Sequence, residues 1–307
     1  MRPSLPFALF FLWLGPQRAA ALVAALLLGL APGLGAAQAL TITDDRGRVL
    51  QFAQPPQRVV SLLPSLTESV CELQRCERLV GVDRYSNWPA PVQRLPQVGG
   101  GLDPNIEAIA ALRPDVVLMS VSTRVSDRLE ALGIPVVALE HKTHSDVRRV
   151  LGVLGVLLAV PPEQGAQRVW RVIDAAVQAA AQSLPPRARG VRVFFEVSRG
   201  PYAAGAESFI GETLARLGAR NVVPPELGPF PRLNPEFVLR AQPDVLMVAN
   251  RSMQAVARYP GWNHLTAVKT GRVCEFGPDH ADVLVRPGPR MAEAARIMAQ
   301  CLSLQYE

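Results

Sequence analysis

The stretch that decides the fold reads Leu102-Asp103-Pro104-Asn105-Ile106-Glu107 and runs on to Arg113-Pro114-Asp115-Val116-Val117-Leu118-Met119. It has a second copy, Leu233-Asn234-Pro235-Glu236-Phe237-Val238 through Gln242-Pro243-Asp244-Val245-Leu246-Met247. Pro114 and Pro243 stand 129 positions apart, and the same offset sets Asn105 on Asn234 and Glu107 on Glu236. Each copy opens on Asp or Asn before Pro, which predicts a helix start: a side-chain cap, then a residue with no amide to leave unbonded. The next Pro ends each helix, because the residue before a proline is driven out of the α region. An unbroken apolar run follows, as in a strand covered on both faces. A period this long is not a solenoid repeat. It predicts two lobes of like design, each with a glutamate in the first turn of a helix.

The remaining elements fall around these units. Residues 41–57 read as a hairpin with an Arg46-Gly47 turn, and Arg58–Leu63 as a buried strand. Ser65 and Glu68 have capping-box spacing for a helix to about Glu72, and Leu79–Val82 is a short strand. A helix near Val125–Leu132, ended by Gly133, and a strand at Ile134–Leu139 complete the first set. The triple glycine Gly99-Gly100-Gly101 has no following Lys-Ser/Thr and reads as a turn, not a nucleotide loop. Residues 145–187 break the alternation. Ser145–Leu158 is helical, Pro161-Pro162 interrupts, and Glu163–Leu184 has Val169, Ile173, Val177 and Ala180 at helical spacing. A strand at Val191–Val197, a loop to Gly205, a helix at Ser208–Leu217 and a short strand at Asn221–Val223 lead through a Pro-rich loop to the second unit. A strand at Arg272–Phe276, a loop over 277–290 and a final helix to about Leu304 follow. The expected fold class is therefore α/β: two Rossmann-like α/β lobes joined by one long connecting helix, with a ligand cleft between them. The expected divisions are an N-terminal segment 1–39, a first lobe 40–144, connecting helices 145–187 and a second lobe 188–307.

Arg2 and Arg18 are the only charges in the first 39 residues, Ala19–Ala31 is almost wholly apolar, and Ala37-Gln38-Ala39 supplies an A-x-A site. This is a secretory signal peptide, with an uncleaved membrane anchor as the alternative. No Cys stands near the junction to take a lipid, so the expected product is an exported protein from Leu40 onward. The chain's net charge of +6 falls to +4 without the two leader arginines, which does not argue for nucleic acid. Four cysteines fit an oxidising compartment and allow three pairings; Cys71–Cys76 with Cys274–Cys301 is the favoured one. Their spacing matches no known zinc pattern.

In such sheets ligands collect beyond the carboxyl ends of the strands. The loops there carry Tyr85, Trp88 and Arg124 from the first lobe. The second offers Tyr202, Phe230, Arg232, Asp279, His280, Arg286 and Arg290. Aromatic area with a few polar groups suits a large, partly apolar ligand, against the plain alternative of scattered surface residues. No Gly-x-Ser-x-Gly elbow and no His-Glu-x-x-His occurs, so no catalytic set emerges. His141 and His144 are either metal ligands or polar residues where a helix begins. Glu107 and Glu236 complement their helix dipoles, or serve as paired anchors for a two-fold partner with basic pockets.

The run Arg58-Val59-Val60-Ser61-Leu62-Leu63-Pro64-Ser65-Leu66-Thr67-Glu68, with Gly81-Val82, Tyr85-Ser86 and Trp88-Pro89, resembles periplasmic cobalamin-binding proteins. These are helical-backbone (class III) substrate-binding proteins of ABC importers, whose relatives carry haem, ferric siderophores or metal ions. The resemblance covers about residues 41–304 and implies a periplasmic, monomeric, non-enzymatic receptor with no cofactor beyond its cargo. That cargo is expected to be a cobalamin-like corrinoid, or else haem or a ferric siderophore; a metal-ion receptor or a secreted hydrolase are remoter readings. The resemblance implies that Glu107 and Glu236 dock on arginines of a permease dimer served by a cytoplasmic ATPase. It implies that Tyr85 lines the pocket, that Phe230 stands where the cobalamin protein has a tryptophan, that Arg286 is a pocket arginine, and that Tyr202 lies in a loop supplying another aromatic. The chain departs from the pattern at Gly100 and Ser120, near which the cobalamin protein carries tryptophans. It departs again at Leu217-Gly218, where the family's disulfide partner of Cys301 would lie.

Overall fold

The computed structural model describes residues 39–200, 202–249 and 259–305; the expected signal segment 1–39, all but Ala39, lies outside them. A hairpin, β1 (Leu40–Thr43) with β2 (Val49–Phe52), precedes the first sheet. That sheet is parallel, in the order β4 (Leu79–Val82), β3 (Val59–Ser61), β5 (Val116–Met119), β6 (Val136–Ala138). It carries α1 (Pro64–Glu72), α2 (Ile106–Ala111) and α3 (Ser126–Ala131). Two helices follow, α4 (His144–Leu157) and α5 (Ala166–Ser183). The second sheet runs β11 (Val273–Glu275), β10 (Val245–Val248), β7 (Arg192–Ser198), β8 (Tyr202–Ala203), with β9 (Arg220–Asn221) beside the start of β7. All its pairs are parallel except β7 with β8. Its helices are α6 (Phe209–Arg216), α7 (Pro235–Ala241), α8 (Thr266–Lys269), α9 (Pro278–Val285) and α10 (Met291–Leu304).

The repeated unit folds alike in both lobes, down to its clips. Asn105 and Asn234 cap α2 and α7, accepting from the amides of Ala108 at 2.9 Å and Glu236 at 3.2 Å. Arg113 and Gln242, again 129 positions apart, end the helices in the left-handed region at φ 47° and 42°. The Asp of each Pro-Asp then pins the first strand of its sheet. Asp115 accepts from the amides of Gln57 and Arg58 at 2.7 and 2.8 Å, and Asp244 from that of Arg192 at 2.8 Å. Arg58 and Arg192 return the favour to the helix ends, donating to Leu112 O at 2.6 Å and Ala241 O at 2.5 Å, where the dipole favours a cation.

Four sequence expectations are corrected. Asp103 does not cap the first copy: its carboxylate receives Arg84 at 2.6 Å, and the cap is Asn105. Ser65 and Glu68 form no capping box, because Pro64 is already inside α1 and the N-cap falls on Leu63. A capping box does open α4, between Thr143 and Asp146. Residues 278–285, expected as loop, form α9, a helix with Pro at its first position, and Tyr202–Ala203 is a short strand.

One core serves both lobes. The outer face of the first sheet packs Val60, Leu62 and Val117 on Ile106, Ile109 and Leu129. That of the second packs Phe194, Leu246 and Val248 on Val238, Trp262 and Leu265. The inner faces of both sheets join a single cluster through α4, α5 and α10, from Val59 and Leu118 to Val193, Phe195 and Met298. Val169, Ile173, Val177 and Ala180 of α5 are buried in it, as their spacing predicts. The 18 residues of α5 span about 27 Å. The connection is thus a buried spine.

The lobes also meet through a buried ion cluster. Glu68 on α1, its side chain 1% exposed, receives Arg286 at 2.9 Å and a bidentate contact from Arg290 at 2.6 and 3.0 Å. Arg286, 7% exposed, also donates to Asn87 Oδ1 at 2.8 Å and to Tyr85 O at 3.0 Å, and pairs with Asp282 at 2.8 Å. Asn87 closes the ring by donating to Asp282 at 2.9 Å. Nearby, His141 is hydrogen-bonded to Ser65 at 3.1 Å, and His144 reaches Phe209 O at 3.1 Å and Thr213 Oγ1 at 2.9 Å. Burial pushes both imidazoles down to about 4.

Two outcomes follow from this frame. Glu68→Ala leaves two buried cations without their anion and is expected to lower the unfolding free energy by about 3–5 kcal/mol in urea titration. An unchanged midpoint would show that the cluster holds nothing. For the histidines, the unfolded chain takes protons near pH 6.5 while the folded one does so only near 4. Protons therefore bind the unfolded state preferentially in that window, and stability falls as pH drops from 6.5 towards 4. Urea titrations at pH 7.5 and 5 should show a smaller loss in His144→Gln than in the wild type.

Candidate ligand cleft

Arg286 follows α9, which begins just beyond the carboxyl end of β11; Glu68 and Asn87 follow the carboxyl ends of β3 and β4. The ion cluster therefore joins the ends of the two sheets at which ligand loops gather. On the first-lobe side lies a cavity of about 310 Å³, lined among others by Leu62, Asp83, Tyr85, Ser120, Ser122 and Thr123. Tyr85 is held by its backbone, its amide donating to Asp83 at 2.8 Å and its carbonyl accepting from Arg286, and the residue is 51% exposed. Asp83 is buried, also accepts from Ser86 at 2.5 Å, and has its carboxyl pushed up by that burial. Gly100 lies beneath: a Cβ there would come within 2.4 Å of the Asp103 carboxylate and 3.4 Å of the Tyr85 ring. A large side chain at position 100 would displace both. Trp88 is partly exposed, with the Arg290 guanidinium 5.1 Å from its ring centre.

On the second-lobe side, Tyr202 and Arg232 form a bridge, with the guanidinium 6.0 Å from the ring centre and Tyr202 40% exposed. Asp279 is exposed in the first turn of α9. Phe230 does not stand free: it packs on Phe209, ring centres 5.9 Å apart, against the shared core. Arg286, read from the sequence as a ligand contact, is committed to four partners within the chain. Sequence reasoning missed Glu68 and Asn87 as bracing groups and the hydroxyl row Ser120-Ser122-Thr123, whose only visible signal was its place after an apolar run.

Glu107 and Glu236 are both exposed in the first turns of α2 and α7. The disulfides are Cys71–Cys76 and Cys274–Cys301, the second tying β11 to α10. His264 and His280 are exposed, and His141 and His144 point inward. No group of three His, Cys, Asp or Glu able to hold a metal occurs among the described residues, and none of their helices is long and apolar enough to cross a membrane. Ser65 and His141 have the contact of a nucleophile and its base, yet both are buried in the lobe interface.

Comparison with known proteins agrees with this architecture. A Bacillus subtilis protein described as an uncharacterized ABC transporter substrate-binding lipoprotein is 26% identical over 278 residues, covering 86% of this chain and 85% of its own. The crystal structure of the vitamin B12-binding protein BtuF of Vibrio cholerae superposes with a TM-score of 0.67 at 26% identity, covering 82% of this chain and 99% of that one. A periplasmic haem-binding protein from Pseudomonas aeruginosa superposes with a TM-score of 0.68 at 26% identity, over 81% and 93%. The family described as periplasmic binding protein matches residues 59–280, and the chain belongs to that family.

Proposed function

We propose that the protein is the extracytoplasmic substrate-binding component of an ABC importer and that its cargo is a cobalamin-like corrinoid. The transport role rests on the family and on relatives so described. The corrinoid reading is carried by one observation: Arg286 and Arg290, the two arginines at the junction of the lobes, are already neutralised by Glu68 and Asp282. Haem brings two propionates and needs cations; a corrin ring carries carboxamides and needs hydrogen-bonding groups and flat apolar faces. Tyr85, Trp88 and Tyr202 supply the faces, and Ser120, Ser122 and Thr123 the hydroxyls. Haem remains the competing ligand, because Arg232 and the exposed phenols of Tyr85 and Tyr202 are groups that could meet propionate and iron. In the same reading, Glu107 and Glu236, equivalent in the two lobes, are the contacts to a permease dimer. Binding involves no chemical change of the cargo. The shared core and the ion cluster favour a cleft largely formed in advance of the ligand.

Titration of the mature protein with cyanocobalamin, haemin and a ferric hydroxamate, followed by heat and visible spectra, tests the cargo. Saturable one-to-one corrinoid binding is expected, weakened at least tenfold by Tyr85→Ala, about 1.4 kcal/mol or more for the loss of one stacking ring. Tight haemin binding without corrinoid binding would overturn the cargo and spare the transport role. For docking, the double variant Glu107→Ala/Glu236→Ala should keep its ligand affinity and lose uptake in cells. Full uptake by that variant would refute the docking role.

A further inference from the structure

Glu196 stands in the second lobe where Leu62 stands in the first. β3 pairs Val59 with Val116 and β7 pairs Val193 with Val245, so three residues further on the central strands reach Leu62 and Glu196. Leu62 lines the first-lobe cavity. Glu196 is fully buried, flanked in the sheet by Val248 and Ala203, on the face that packs around Phe194 and Trp262. One carboxyl oxygen accepts from the Tyr259 hydroxyl at 2.7 Å, and the other has no hydrogen-bond partner among the described residues. The Tyr259 oxygen accepts in turn from the amide of Gly200 at 3.1 Å.

Gly200 lies in the turn between β7 and β8, beside Tyr202 and Arg232. Its φ is 145°, a Cβ on it would come within 2.9 Å of the Tyr202 ring, and its carbonyl accepts from Arg232 at 3.4 Å. The hydrogen bonds have one direction, from Gly200 N–H through Tyr259 O–H to the carboxyl, because Tyr259 has a single proton to give. We propose that Glu196 is a positioning residue for the ligand-facing rim of the second lobe, acting through Tyr259 on Gly200, and that ionisation of its carboxyl loosens that rim.

The physical cause is the orphan oxygen. Ionisation strengthens the bond from Tyr259, but an anionic oxygen left unpartnered away from water costs more than that bond gains, so burial is the larger effect and the carboxylate draws water in. Burial accordingly pushes the Glu196 carboxyl up to about 7, within the range an exported protein meets, and pushes the Tyr259 phenol up to about 12, so that it stays a donor. Among the described residues, the charged groups around the relay are Arg199 just after β7, whose charge acts on Tyr259, Arg232 at the Gly200 carbonyl, and His264 in the same turn as Trp262. Among the described residues no hydrogen bond joins His264 to the carboxyl, and His264 is controlled for by substitution. A group with a raised carboxyl pKa binds its proton more tightly folded than unfolded, so its contribution to stability falls as pH rises from 4.5 to 7, opposite to that of the histidines.

The inference rests on the ligand reading above only in its second arm. In the first, hydrogen exchange of the peptide containing Gly200 is followed from pH 6 to 8 on the ligand-free mature protein, corrected for intrinsic rates. Wild type and His264→Gln should lose protection severalfold as pH rises. Glu196→Gln, permanently neutral and still an acceptor, should keep it, and Tyr259→Phe should lack it throughout. In the second arm, the dissociation constant for cyanocobalamin should rise severalfold over the same range in wild type and stay flat in Glu196→Gln. A pH-dependent loss of protection that survives in Glu196→Gln, or protection unaffected by Tyr259→Phe, overturns the proposal. Absence of corrinoid binding overturns the cargo reading and leaves the exchange arm to decide this one.

Discussion

The Glu68 carboxylate, held between two arginines from the far end of the chain, is the constraint on which the ligand-facing geometry depends. It lies at the meeting point of α1, the Tyr85–Asn87 loop and the turn between α9 and α10. A buried ion pair is weak evidence for net stability, since desolvation offsets much of the attraction. Its value is directional: two guanidinium planes and one carboxylate leave little freedom in the angle between the lobes. Moving the lobes apart would expose two cations and an anion from their partners at once. The shared core acts in the same sense, because α4, α5 and α10 bury side chains from both sheets in one cluster. Two independent restraints, one apolar and one ionic, thus hold the two sheet ends at a set separation.

The same cluster changes what the cleft can recognise. Arg286 and Arg290 are placed where a ligand carboxylate would want them, yet their charge is already compensated by Glu68 and Asp282. What faces outward is ring and hydroxyl. The backbone of Tyr85 is fixed from both sides, by Asp83 at its amide and Arg286 at its carbonyl, so the ring's freedom is confined to its own torsions. A preorganised aromatic loses less entropy on binding than a mobile one.

The fold was legible because its signals are local. Asn105, the turn at Arg113, Pro114 and Asp115 lie within eleven residues, and every feature of that unit recurs at a fixed offset. The α5 stripe was legible for the same reason, with burial at the positions its period names. The site was less so. Glu68 and Arg286 are 218 residues apart, and nothing near either one marks the other. The Ser65–Glu68 spacing has the pattern of a cap, but Pro64 starts the helix two residues earlier, leaving Ser65 free to meet His141 within the first lobe and Glu68 free to meet Arg286 across the interface. α9 was hidden by its flanks, since Gly277-Pro278 before it and Pro287-Gly288-Pro289 after it have the composition of a loop.

The two lobes share a scaffold and differ where it matters. Their helix caps, left-handed stops and strand clips fall at equivalent positions. At the carboxyl ends the equivalence stops: an apolar Leu62 on one central strand, an ionisable Glu196 on the other. The first-lobe rim is pinned by Asp83 and by an arginine, the second by a phenol that leans on a carboxyl pushed up to about 7. A proton on Glu196 therefore acts on the second-lobe wall of the cleft. Because the shared core and the Glu68 cluster fix the lobe angle, such a change cannot be relayed into opening of the whole molecule. It must remain local to the loop of Tyr202 and Arg232, where it alters how well one wall meets a ligand while the other stays in place.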